Sequence, residues 1–156
     1  MRTLLYNMHF RGRMSSAVAD ARSLRTTGSA TSCVVTTTVL PSGVEADVKA
    51  AEGDLAFLES ELRVTGTDSF EEDGMIVFGD GSDNVLRFST AGHGRLSHCL
   101  DPGTMAGTAS CSVHGGTGQF AAASGFINST FTLTDSGELN DFHSGLIFLP
   151  EFENQQ

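Results

Sequence analysis

The chain has 156 residues and a mass of 16.4 kDa, so residues 1–156 are expected to form a single domain around one core. Nine basic against nineteen acidic residues give a formal charge of −10, which disfavours phosphate backbones and anionic lipid, so neither a nucleic-acid nor a membrane partner is expected. A hydrophobic share of 39% with 18 glycines and three prolines describes a globular chain rich in tight turns and leans towards an all-β fold.

Residues Leu4 to Arg13 alternate in a way compatible with a first strand, with Tyr6 and Met8 on one face and Asn7 and His9 on the other. The short apolar run there is followed by arginines and lacks the pattern of a secretory signal. No run approaches the ~20 apolar residues of a bilayer span, and the expected compartment is the cytoplasm. Residues 15–29, "SSAVADARSLRTTGS", read as a loop with room for a helical turn. Ala30 to Leu40 is packed with β-branched residues and forms a second strand, closed by the turn residues Pro41, Ser42 and Gly43. The next segment is ambiguous: Val48 to Leu62 is rich in helix formers, but Gly53 interrupts it and Leu55 and Phe57 alternate with their neighbours. A strand over Asp54 to Thr65 is preferred because everything after it reads as β. On such a strand Glu59 and Glu61 share a face, and paired carboxylates raise one another's pKa towards general-acid use.

From Gly74 onward, "MIVFG", "NVLRFST", "RLSHCL", "GTASCSV", "ASGFINSTFTLT" and "GELNDFHSGLIFLP" are short apolar or alternating runs separated by glycine-bearing turns. This spacing predicts an antiparallel sandwich or barrel. About eight strands closed in a barrel leave an interior just wide enough for side chains or one small ligand.

Within "HGGTGQFAAASG", residues Gly116, Gly118 and Ala121 spell G-x-G-x-x-A, the opening of a dinucleotide fingerprint. That motif needs an outgoing crossover helix of roughly a dozen residues. Only about one helical turn fits before the β-branched, aromatic "FINSTFTLT", so the dinucleotide reading fails. The glycines instead suit a corner between two strands, at positions needing φ > 0 or close packing.

This corner resembles the one shared by plant dirigent proteins and allene oxide cyclases, "GGTG-x-F" followed by a small residue and a glycine before an outgoing strand. Gly115, Gly116, Thr117, Gly118, Phe120 and Gly125 carry the match, which is clear over Gly107 to Phe131. The resemblance implies a single eight-stranded antiparallel β-barrel, frequently a homo-oligomer (dimer or trimer), that binds an apolar small molecule and steers a cyclisation, coupling or elimination. It transfers no catalytic residue.

Candidate chemistry lies on the last strand, where Asp141 and His143 project from the same face as Leu139, Ile147 and Leu149. Facing inward, they would form an orienting carboxylate and a general base. They equally suit a structural hydrogen-bonded pair. Tyr6, the only tyrosine, with Asn7 and Glu61 complete the candidate catalytic set. Ile127, Ser129 and Phe131 share one face of "FINSTFTL", and Leu86 and Phe88 oppose Arg87, so these residues with Ile147 and His114 are the candidate pocket wall. Cys33, Cys99 and Cys111 have no C-x-x-C spacing, and Cys99 and Cys111 are expected to be buried, inert thiols. The histidines lack metal-ligand spacing, and there is no P-loop or G-x-S-x-G elbow, so no metal and no cofactor are expected.

The first functional expectation is a cofactor-free cyclase, isomerase or dehydratase acting on an apolar molecule of a natural-product pathway. The alternatives are a non-catalytic, lipocalin-like binding protein and a structural domain filled by its own side chains.

Overall fold

The computed structural model describes residues 1–16 and 22–151. Its strands, in chain order, are β1 (Arg2–Ser16), β2 (Ser23–Leu40), β3 (Gly43–Val64), β4 (Ser69–Phe78), β5 (Val85–Thr90), β6 (Gly94–His98), β7 (Thr104–Gly116), β8 (Ser124–Thr134) and β9 (Glu138–Leu149). Among the described residues the only helical element is a single 3-10 turn, Gly118–Phe120. No helix is long and apolar enough to cross a membrane.

All pairings are antiparallel, and most neighbours in the sheet are neighbours in sequence. Because β3 pairs with β4 and β1 pairs with β9, the order closes into a ring. Nine strands replace the eight expected: β5 and β6 follow one another between β4 and β7, each pairing with a different part of both.

The ambiguous segment is strand, as preferred, because alternation there is strict: Ala56, Leu58, Ser60 and Leu62 are buried and Leu55, Phe57, Glu59 and Glu61 are exposed. Its start, however, lies at Gly43 and not Asp54, since residues 43–50 pair with the second half of β2. The loop read over residues 15–29 is also corrected. Ser15 and Ser16 end β1, Ser23 to Ser29 begin β2, and residues 17–21 lie outside the described residues. Small polar residues fill these strands because their partners in β1 and β3 supply the ladder and the outer face is wet.

Inward-facing positions from every strand but β6 build one core, in which Phe10, Phe70, Phe120, Leu58, Leu62 and Ile76 are almost wholly enclosed. The glycine corner behaves as its composition requires. Gly118 has φ +57°, and a Cβ at Gly116 would run into the Val85 carbonyl. Thr117 ties the corner to the β4–β5 turn, its Oγ1 donating to the Asp83 carbonyl (2.9 Å) and accepting from the Val85 amide (3.2 Å).

The ring wall is not uniform. β1 pairs with β2 only from Arg11 to Ser16, while Arg2 to Phe10 bond to β9 alone. At a bulge between Thr31 and Cys33 the second strand leaves the wall, and Cys33–Leu40 and Gly43–Ala50 continue as a ribbon paired only with itself. This leaves a slot between β1 and β2.

Candidate functional site

Strand alternation on β9 places Leu139, Asp141, His143, Ile147 and Leu149 inside the ring. Ser129 lies opposite His143 on β8, and Ile127 and Phe131 flank it on the same inward face. The Ser129 hydroxyl donates to Asp141 Oδ1 at 2.7 Å, and His143 Nε2 stands 3.0 Å from Asp141 Oδ2. With both carboxylate oxygens accepting, His143 carries its proton on Nε2. Its Nδ1 is buried and has no partner. Phe10 and Phe88 hold the imidazole edge-on, with ring centroids at 5.0 and 5.8 Å.

A second carboxyl group shares this interior. Glu72, on β4, is 3% exposed and accepts at Oε1 from the Ser60 hydroxyl at 2.6 Å, whereas its Oε2 is unpartnered. Burial pushes the Glu72 carboxyl above the ordinary carboxylate range and the Asp141 charge adds to this, while the Ser60 hydrogen bond and His143 act in the opposite sense. Cys111 is pushed up to about 12 by burial, then by Glu72 and Asp141, so it stays a thiol. The Tyr6 hydroxyl is likewise raised above its ordinary range by burial, then by Asp141 and Cys111. It too is enclosed and unpartnered.

The interior therefore holds a base nitrogen, a carboxyl group biased towards its neutral form and a phenol, each with an unused hydrogen-bonding atom. An unsatisfied buried polar atom costs about 1–3 kcal/mol, and an apolar core of the same shape would be more stable. Thr26 Oγ1 is a further buried, unpartnered atom, on the residue opposite Ser60 in the β2–β3 pairing.

The cluster itself is enclosed, and the nearest feature of the parted strands is a cleft beside Tyr6. This cleft, of about 340 Å³, lies between the parted strands and is lined by Leu5, Asn7, Ser32, Cys33 and Val35 together with the inward Tyr6 and Met8. Tyr6 belongs to this lining while its hydroxyl is enclosed. It packs over Gly145 of β9, where any Cβ would strike the ring, and edge-on against Phe78 at 5.9 Å.

Leu86, Phe88 and Ile147 complete the enclosed wall as expected from their alternation. Three candidates face the other way. Asn7 alternates with the inward Tyr6 and Met8 and accepts from the exposed Ser144 hydroxyl at 2.7 Å. Glu61 alternates with Ser60 and Leu62 and lies on the outer face, 3.8 Å from Arg63. His114 alternates with the buried Val113 and bonds the Ser89 hydroxyl outside the ring. Glu61 and His114 line an open outer cleft of about 450 Å³ with Arg25, Glu59, Asp73 and Arg87, and neither reaches the cluster. Cys99 is half-buried and not enclosed, while Cys111 is.

Sequence reasoning missed Glu72 and Ser60. The string "SFEEDGMIVF" looks like a turn up to Gly74, so the strand was started at Met75 and not at Ser69. The signal was the period-two set Phe70, Glu72, Gly74 and Ile76. Among the described residues no group of three or more His, Cys, Asp or Glu side chains is placed to hold a metal ion.

No protein-family model, curated protein or solved structure matches the chain.

Proposed function

We propose that the chain is a cofactor-free acid/base enzyme, an isomerase or cyclase (or a dehydratase), that admits an apolar small molecule of natural-product type to the interior of the ring. The observation that carries this reading is the unpartnered His143 Nδ1, enclosed among aromatic rings with its other nitrogen engaged by Asp141; in this reading Nδ1 is the basic atom. A base so held is oriented and dry. In this reading His143 removes a proton from carbon. The Tyr6 hydroxyl or the Glu72 carboxyl stabilises the resulting oxyanion and returns a proton elsewhere on the molecule. Ser129 and Asp141 are positioning residues, and Tyr6 is the gate at the slot.

The glycine corner supports the same reading at the level of fold. Counting β5 and β6 as one stave turns the ring into an eight-stave meander, the architecture that the allene oxide cyclase and dirigent resemblance implies. Such proteins fold a flexible substrate into a reactive shape, and orientation lowers the barrier more than strong acids or bases do.

The test is conversion of 3-cyclohexenone to 2-cyclohexenone, followed by the absorbance of the conjugated product. The base takes a proton from C2, the electrons form a dienolate, and a proton delivered to C4 leaves the conjugated ketone, so atoms balance without a co-reactant. The native chain is expected to exceed the buffer rate, His143→Gln to lose at least tenfold, and Tyr6→Phe to lose less. A native rate equal to buffer, or a His143→Gln variant as fast as the native chain, overturns the enzymatic reading. Binding of the ketone without turnover overturns the enzymatic reading and leaves the carrier alternative.

A further inference from the structure

We propose that the apolar face of the β2–β3 ribbon is a homodimer interface, packed in the assembled protein against the same face of a second copy. The pairing register sorts the ribbon into two faces. Val35 lies opposite Val48, Thr37 opposite Ala46 and Val39 opposite Val44, and strand alternation puts these six side chains on one side. Thr36 opposite Asp47, Thr38 opposite Glu45 and Val34 opposite Lys49 occupy the other. One face is thus free of charge, and the other carries Glu45, Asp47 and Lys49.

Nothing within the described chain covers the apolar face. Val39 is 83% exposed and Val44 66%, and apart from the Cys33 Sγ–H donated to the Asn7 carbonyl at its base (3.2 Å) the ribbon pairs with no third strand. An isolated two-stranded hairpin is marginally stable in water at best, so a ribbon of this length with one dry face calls for a partner surface.

The apolar surface continues onto the ring. Val35 and Leu5 line the same cleft, and Leu5, Leu146 and Phe126 form a row across β1, β9 and β8 on the outer face, all three exposed. Together these side chains offer on the order of 800 Å², one partner's share of a standard interface. The occupant follows from charge and shape. Two copies of a chain with net charge −10 repel each other across most of their surfaces, and this face lets them meet without bringing carboxylates together. Short valine, alanine and threonine side chains on a flat ribbon match a copy of themselves, as a two-fold interface demands.

The experiment is sedimentation equilibrium at low-micromolar concentration. The native chain is expected at twice its monomer mass of 16.4 kDa. The Val39→Glu/Val44→Glu variant is expected at the monomer mass with an unchanged circular dichroism spectrum, since both side chains are exposed in the single chain. The near-isosteric Val39→Thr/Val44→Thr variant keeps the β surface and should weaken the dimer at least tenfold even if the glutamates disturb folding. Thr36→Glu/Thr38→Glu, on the polar face, should leave the dimer intact. A native monomer, apolar-face variants that remain dimeric, or polar-face glutamates that dissociate the dimer equally would each overturn the proposal. The outcome is independent of whether the interior catalyses anything.

Discussion

Glu72 is the residue whose environment departs furthest from what its side chain prefers. A carboxyl group 3% exposed, with one oxygen on Ser60 and the other unpartnered, is biased towards its neutral form by the cost of burying its charge. Its folded pKa is raised, so the folded state binds its proton more tightly than the unfolded state does. The resulting stability is fully present below the ordinary value of 4.5 and is lost as pH rises through the folded value. Glu72→Gln removes this titration and keeps an acceptor for Ser60. The variant should therefore gain melting temperature over the native chain as pH is raised from 4 to 8, by roughly 2–4 °C per kcal/mol of burial penalty. Parallel melting curves for the two proteins across that range would remove the basis for calling Glu72 a neutral acid. His143 obeys the opposite demand, since its Nε2 is committed to Asp141. Asp141→Asn should lower thermal stability by about 1–3 kcal/mol and uncouple the imidazole from a fixed tautomer, read as a change in its nitrogen chemical shifts.

At the scale of elements, glycine does two jobs in this chain. Some glycines turn corners, as the abundance of the residue suggests, but four sit inside strands facing a ring on the neighbouring strand. Gly74 pairs with Phe88, Gly94 with Phe70, Gly107 with Phe131 and Gly145 with Tyr6. In each case a Cβ would collide with the aromatic ring, so the missing side chain makes room for a ring laid flat over the sheet. Gly107→Ala should cost about 1–3 kcal/mol through overpacking, and Phe131→Leu in the same chain should return part of it. Equal losses added together in a double-mutant cycle would contradict the pairing. The period-two pattern of β8 and β9 made Ile127, Ser129, Phe131, Asp141 and His143 legible in the sequence as one inward face, because that face of each strand is apolar apart from Ser129, Asp141 and His143. Asn7, Glu61 and His114 were not assignable in the same way. Each stands one position from an inward residue, and the residue type alone does not say which face it takes. Glu72 stayed hidden because "EEDG" carries turn chemistry, and the partners that hold it in a strand, Leu62 and the Ser60 hydroxyl on β3 and the Thr90 hydroxyl on β5, come from other strands.

The whole molecule is a meander closed into a ring, with one parted seam. Where β2 leaves β1, the same departure produces both unusual features: the slot at Tyr6 and the free ribbon with its valine face. A strand that stayed paired along its length would leave neither the cleft nor the free ribbon. The length of β2 and β3 was only partly readable, since Ala30 to Leu40 announces a strand but its partner Gly43 to Glu52 is written in helix formers and held as strand by pairing alone. The acid/base cluster, the aromatic wall and the seam fit one account, in which an apolar molecule enters beside Tyr6 and meets His143 Nδ1. The most direct test is the nitrogen spectrum of the His143 ring, recorded on histidine-labelled protein with and without 2-naphthol, an apolar mimic of a dienolate's conjugate acid. The account predicts a protonated Nε2 and a lone-pair Nδ1 whose resonance shifts when 2-naphthol is added. A proton found on Nδ1, or a spectrum indifferent to 2-naphthol, would contradict it.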